Sequence, residues 1–166
     1  MRKDLMERFW KELIVPIQED MEDATFANPS DVARSLIKAR NWTATISQEL
    51  VTATQQIAEE RRFINYNEDL LAAFERKILA GAGKIPPVAG KNRETLRAYI
   101  RSICLENELE LLNKLEETIR EHKSTLEGLM AEKETAEIMR KALEKSTDWL
   151  VQYINWHKFE LRELNN

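Results

Sequence analysis

Apolar side chains recur every seven residues along most of this chain. Between 30 and 80, one row reads Leu36, Thr43, Leu50, Ile57, Ile64, Leu71, Ile78. A second row, three residues later, reads Ala39, Ile46, Ala53, Glu60, Asn67, Phe74. These are the a and d positions of a heptad repeat, which keeps one seam of an α-helix turned toward a partner helix. Between 92 and 165 the a row is Leu105, Leu112, Ile119, Leu126, Lys133, Arg140, Thr147, Ile154, Leu161. Its d row is Leu115, His122, Leu129, Ala136, Leu143, Leu150, His157, Leu164. The register passes Gly128 without a stutter, which predicts one continuous helix over 92–165. The a row turns polar from Lys133 to Thr147, so a break near 128–135 is the alternative.

Helix breakers set the other boundaries. Three of the four glycines and two of the four prolines fall between 81 and 90, which marks 81–91 as a loop. Asn28-Pro29 suits a helix start, with Asn28 as cap and Pro29 at the first position. Segment 2–23 is amphipathic, with Met6, Phe9, Trp10, Leu13, Ile14, Ile17 and Met21 on one side, and Pro16 is expected to kink it.

The pattern predicts an all-α chain, a single helical domain over 1–166. Its body is a long, coiled-coil-like antiparallel hairpin of helices 30–80 and 92–165. At 1.5 Å per residue these would be roughly 75 and 110 Å long. A hairpin folded about 81–91 pairs 30–80 with residues up to about 141, leaving a C-terminal overhang, and the N-terminal helix is expected to pack on it. Trp149, Tyr153 and Trp156 make that overhang apolar on two sides. It calls for a second partner, either the N-terminal helix or a neighbouring subunit. Glu60, Asn67, His122 and His157 lie in the seams, where polar groups often set register or oligomer state. Self-association is expected, with Trp149, Leu150, Tyr153, Ile154, Trp156 and Leu161 as the candidate oligomer or partner interface.

Composition narrows the function classes. The chain has 166 residues, 33% of them charged, a net charge of -4 and one cysteine. Such a composition favours long solvated helices. The longest apolar run, Leu13 to Ile17, is far short of the roughly 18 residues a membrane span needs. Met1-Arg2-Lys3-Asp4 opens no secretory signal, and a lone Cys104 fits a reducing compartment. A cytoplasmic protein, or a virus-associated one inside a host cell, with no membrane partner is the expectation. Ala80-Gly81-Ala82-Gly83-Lys84-Ile85 fails the phosphate-loop pattern, because Ile85 replaces Ser/Thr and Pro86-Pro87 block the following helix. The two histidines lack metal-ligand spacing, and Cys104 has no evident histidine partner. No catalytic residue, metal or cofactor is expected.

Charge is unevenly distributed. Residues 81–103 carry five cations and one carboxylate, whereas 104–166 carry nine and fourteen. The hairpin tip is therefore basic in an acidic protein. Lys84, Lys91, Arg93, Arg97 and Arg101 lie there, with Arg76 and Lys77 beside it. Arg93, Arg97 and Arg101 stripe one helix face, and Tyr99 adds an aromatic ring. Such a set suits a single-stranded nucleic-acid backbone or an acidic protein surface.

The run Tyr153-Ile154-Asn155-Trp156-His157-Lys158-Phe159 resembles the C-terminal ending of the UvsY family of phage recombination mediators. Leu96-Arg97-Ala98-Tyr99-Ile100 is similar to the start of that family's second long helix. The match covers about seven residues of the 166. The resemblance implies a ring-forming, non-enzymatic protein that binds single-stranded DNA and helps a recombinase displace single-strand-binding protein. The expected function is thus a helical assembly protein that self-associates through its seams and C-terminal aromatics. The alternative is a phage-type recombination mediator that uses the basic tip.

Overall fold

A computed structural model describes residues 3–22, 29–81 and 93–163, with side chains described over 4–19, 31–81 and 93–159. The described residues are almost wholly helical. The elements are α1 (Lys3–Phe9), a π-helical turn (Trp10–Ile14), α2 (Val15–Glu22), α3 (Pro29–Gly81), α4 (Arg93–Ile103) and α5 (Glu106–Glu163). The fold is the expected all-α helical hairpin, with α3 and α5 as its arms.

The disturbance expected at Pro16 is taken up by the π-helical turn just before it. Val15 N–H donates to the Trp10 carbonyl five residues back. Proline has no N–H, and its ring clashes with the carbonyl four residues earlier. Widening the preceding turn by one residue relieves that clash.

One expectation fails. The helix predicted over 92–165 is two helices, and the break lies at Cys104–Leu105 rather than near 128–135. α5 runs unbroken through Gly128. Cys104 N–H closes the last turn of α4 on the Ile100 carbonyl (3.0 Å), and Leu109 N–H opens α5 on the Leu105 carbonyl (2.9 Å). Glu108 reaches back to accept the Leu105 N–H at 3.0 Å. This is half a capping box, with the acidic first turn of Glu106 and Glu108 favoured by the helix dipole. Leu105, the first seam residue predicted for this helix, is 66% exposed as a result.

The break moves the hairpin register. Symmetric folding about 81–91 would set Glu60 opposite about residue 112, yet its carboxylate meets His122 Nδ1 at 2.6 Å. Read from Glu60–His122 the shift is about ten residues and read from Glu68–Lys123 about nineteen, so it is comparable with or larger than the 11-residue length of α4. α4 has left the hairpin arm and packs beside it.

The chain divides into two compact units. The first is Met1–Gln55 with Leu129–Asn166, and the second is Gln56–Gly128. In the first, Phe9, Leu13, Ile14 and Ile17 join Val32, Ala39 and Ile46 of α3 and Met139, Leu143 and Leu150 of α5 in one buried cluster. Hence α1–α2 packs against both α3 and α5, and the C-terminal part of α5 is not an unpaired overhang. In the second, Ile64, Leu71 and Ile78 of α3 meet Ile100 of α4 and Leu112 and Ile119 of α5. Each unit thus combines a helix pair from α3 and α5 with one further helical segment.

Candidate functional site

Two of the three α4 arginines, Arg97 and Arg101, face carboxylates of their own unit. Leu96, Ile100 and Ile103 turn α4 onto α3 and α5, which carries Arg93, Arg97 and Arg101 to the rim of a groove of about 400 Å³. Glu68 and Glu75 of α3 line its other side, together with Glu116, Arg120 and Lys123 of α5. Arg97 Nε lies 3.4 Å from Glu75 Oε1; the nitrogen is buried, and the contact lacks hydrogen-bond alignment. Arg101 donates to Glu116, and Lys123 Nζ meets Glu68 at 2.6 Å. The stripe is therefore largely neutralised at home: two of its three guanidiniums face internal carboxylates. Arg76 and Lys77 are exposed on α3. Lys84 and Lys91 lie outside the described residues.

Arg120, Lys123 and the glutamates Glu68, Glu75 and Glu116 were not singled out from the sequence. They come to this groove only through the register set by α4, and the heptad pattern carries no sign of it.

The C-terminal candidates separate into two groups. Leu150 is 0% exposed and belongs to the core of its own unit, and Ile154 packs against that core. Leu150 is therefore enclosed within its unit, whereas Ile154 is half-buried at the edge of that core. Leu161 lies outside the residues whose side chains are described. Trp149, Tyr153 and Trp156 instead form an aromatic ladder. Trp149 and Tyr153 stack with centroids 5.6 Å apart, and Tyr153 lies 6.3 Å from Trp156 and 6.2 Å from His157. Trp156 is 56% exposed and Phe159 61%. Phe159 is a member of this surface that the seam analysis passed over; its spacing of three from Trp156 was the available signal.

Three polar seam residues, Glu60, His122 and Asn67, find partners within the second unit. His122 joins Glu60 and lies against Phe63, with ring centroids 4.1 Å apart. Asn67 is 6% exposed, and its side-chain amide donates to the Phe63 carbonyl at 2.9 Å. Cys104 is half-buried at the α4–α5 break. Burial, and secondarily the Glu108 carboxylate, push its thiol above the ordinary cysteine range. That disfavours the thiolate a nucleophile would need.

Among the described residues, no cluster of three or more His, Cys, Asp or Glu is placed to hold a metal ion. Among the same residues, no helix is long and apolar enough to cross a membrane. Comparison with known proteins finds no matching family model, no matching curated protein and no matching solved structure.

Proposed function

We propose that this chain is a non-enzymatic helical interaction protein that self-associates through the aromatic end of α5. The observation that carries this reading is the exposure of Trp156 and Phe159 at the end of an ordered aromatic ladder. Large aromatic surface left in water favours association, and aromatic residues are enriched in interface cores. A second copy is the favoured occupant for an electrostatic reason. From Trp149 to Phe159 the only charged side chain is Lys158, in a chain that is 33% charged. Two such surfaces meet with little like-charge repulsion, which favours a two-fold contact between identical patches. The double substitution Trp156→Ala, Phe159→Ala tests the reading, because both side chains lie outside the buried core. Light scattering should give a wild-type mass above the 19.4 kDa of one chain and a variant mass near that value. A monomeric wild type at high micromolar concentration would sink the proposal.

The second reading is a single-stranded nucleic-acid mediator, as the UvsY-like C-terminal run suggests. What favours it is the gathering of five cations, Arg93, Arg97, Arg101, Arg120 and Lys123, around one groove. What weighs against it is the engagement of three of them by Glu75, Glu116 and Glu68. Anisotropy of a labelled single-stranded oligonucleotide over a salt series separates the two readings. Neutralising three to five phosphates gives a log–log slope of about -2 to -3.5. No binding at low salt removes the mediator reading.

A further inference from the structure

A second groove, in the first unit, carries a different chemistry. It lies between the N-terminal helical segment and α3 and has a volume of about 650 Å³. We propose that this groove binds a small organic anion bearing a planar ring, of the aryl phosphate class, with the anion at Lys11 and Lys38 and the ring against Trp42.

The charge comes first. Arg8, Lys11 and Lys38 line the groove against one lining carboxylate, Glu12. That carboxylate is already engaged, since Arg8 Nε donates to Glu12 at 3.1 Å. Lys11 and Lys38 are exposed, and neither makes an ion pair with the described residues. Two ammonium groups beside one concavity, in a protein of net charge -4, form a local site for negative charge. An isolated lysine on a helix is ordinary solvated surface. A pair sharing a groove with an indole offers an anion two cations and a ring face at once.

The ring comes second. Trp42 is half-buried and held edge-on by Phe9, with centroids 5.3 Å apart and planes at 74°. Phe9 itself is 0% exposed. The indole orientation is therefore set by the core before any ligand arrives, and a fixed ring loses little entropy when another ring stacks on it. Leu5 and Pro16 add apolar wall, and the Asn41 amide adds a polar group. The Thr45 hydroxyl is committed to the Asn41 carbonyl at 3.2 Å. The lining is mixed: Leu5, Pro16 and Trp42 supply apolar wall for a ring, and the cations beside them supply the counter-charge for an anion. The π-helical turn Trp10–Ile14 lies at this groove and contributes Lys11 and Glu12. Such turns recur where a helix is re-aimed around a site.

The test is two-dimensional NMR of the full chain, with the Trp42 indole N–H assigned through Trp42→Phe. Phenyl phosphate, inorganic phosphate and glycerol 3-phosphate are titrated separately at fixed ionic strength. Phenyl phosphate should shift the Trp42 resonance saturably, and the two ringless phosphates should bind at least about fivefold more weakly. The variant Lys11→Gln, Lys38→Gln should weaken phenyl phosphate by about tenfold or more. Lys11→Arg, Lys38→Arg should retain binding, and Lys141→Gln, Lys145→Gln, on α5, should leave it unchanged. Four results would overturn the proposal: no saturable shift up to about 10 mM, equal affinity for inorganic phosphate, binding unaffected by the glutamine pair at 11 and 38, or an equal loss from the pair at 141 and 145.

Discussion

The first unit closes on a deep apolar core, whereas the second adds charge pairs across helices to a shallower one. In the first, Phe9, Leu13, Ile14, Ile17, Val32, Met139 and Leu150 are all at most 1% exposed. The ion pairs Arg8–Glu12, Arg34–Asp31, Lys133–Glu137 and Arg140–Glu144 there join neighbours on one helix. In the second, most core residues retain a few per cent of exposure, from Leu112 at 2% to Ile119 at 7%. There Arg97–Glu75, His122–Glu60 and Lys123–Glu68 join different helices, and Arg101–Glu116 ties α4 to α5. A deep apolar interface fixes register by shape, because one residue of slippage would expose aromatic area. A shallower one leaves slippage cheaper, and paired charges then discriminate between registers more than they add stability.

The contrast can be broken by experiment, most strongly in the first unit. Phe9→Ala removes a fully buried ring that also braces Trp42, and should cost about 3–5 kcal/mol in chemical denaturation. Next is Ile100→Ala, which removes the single residue of α4 that is buried. It should cost about 2–4 kcal/mol and abolish hydrogen-exchange protection over 93–103 while sparing residues 31–50. Smaller again is the effect of the cross-helix pairs. Glu68→Gln and Glu75→Gln should each cost about 0.5 kcal/mol. Raising salt from 0.1 to 1 M should speed exchange in the second unit more than in the first. Equal salt responses would remove the electrostatic half of the comparison. The smallest effect concerns Cys104. Its raised thiol pKa means that the folded chain holds the proton more tightly than the unfolded chain does. Its stabilising contribution is therefore complete below the unfolded value, about 8.5, and is lost as pH rises through the folded value. Alkylation at pH 8 should be slower than for an unstructured peptide, and Glu108→Gln should quicken it.

The seams were legible because burial follows the heptad closely in α3. Ile57, Ile64, Leu71 and Ile78 of the a row and Ala39, Ile46 and Ala53 of the d row are all buried. Extending the d row back one heptad reaches Val32, which is also buried. The α4–α5 break was not legible from breakers, since neither glycine nor proline lies near 104. The trace it left was chemical: Glu106 and Glu108 at a helix start, and a leucine at 105 that fits the repeat yet has nothing to pack on. Met139, 0% exposed, lies outside both seam rows because it serves the packed N-terminal segment, a third helix that a two-helix repeat does not encode. Of the basic candidates, the sequence located the α4 stripe but not its glutamate partners. Those belong to other helices, and their meeting depends on the register shift.

The division of the chain into units also fixes an order of birth. The second unit is one uninterrupted stretch, Gln56–Gly128, whereas the first is assembled from Met1–Gln55 and Leu129–Asn166. On the ribosome the second unit emerges whole and can close on contacts near in sequence, while Phe9 and Leu13 wait for Leu143 and Leu150 to be made. Once the inner stretch has folded, the two outer ones are already tethered, and much of the entropy cost of joining such distant segments has been met. For a time, then, the nascent N-terminal helix carries its aromatic face with no finished partner. That interval is where a chaperone, or a second nascent copy, would meet this protein first.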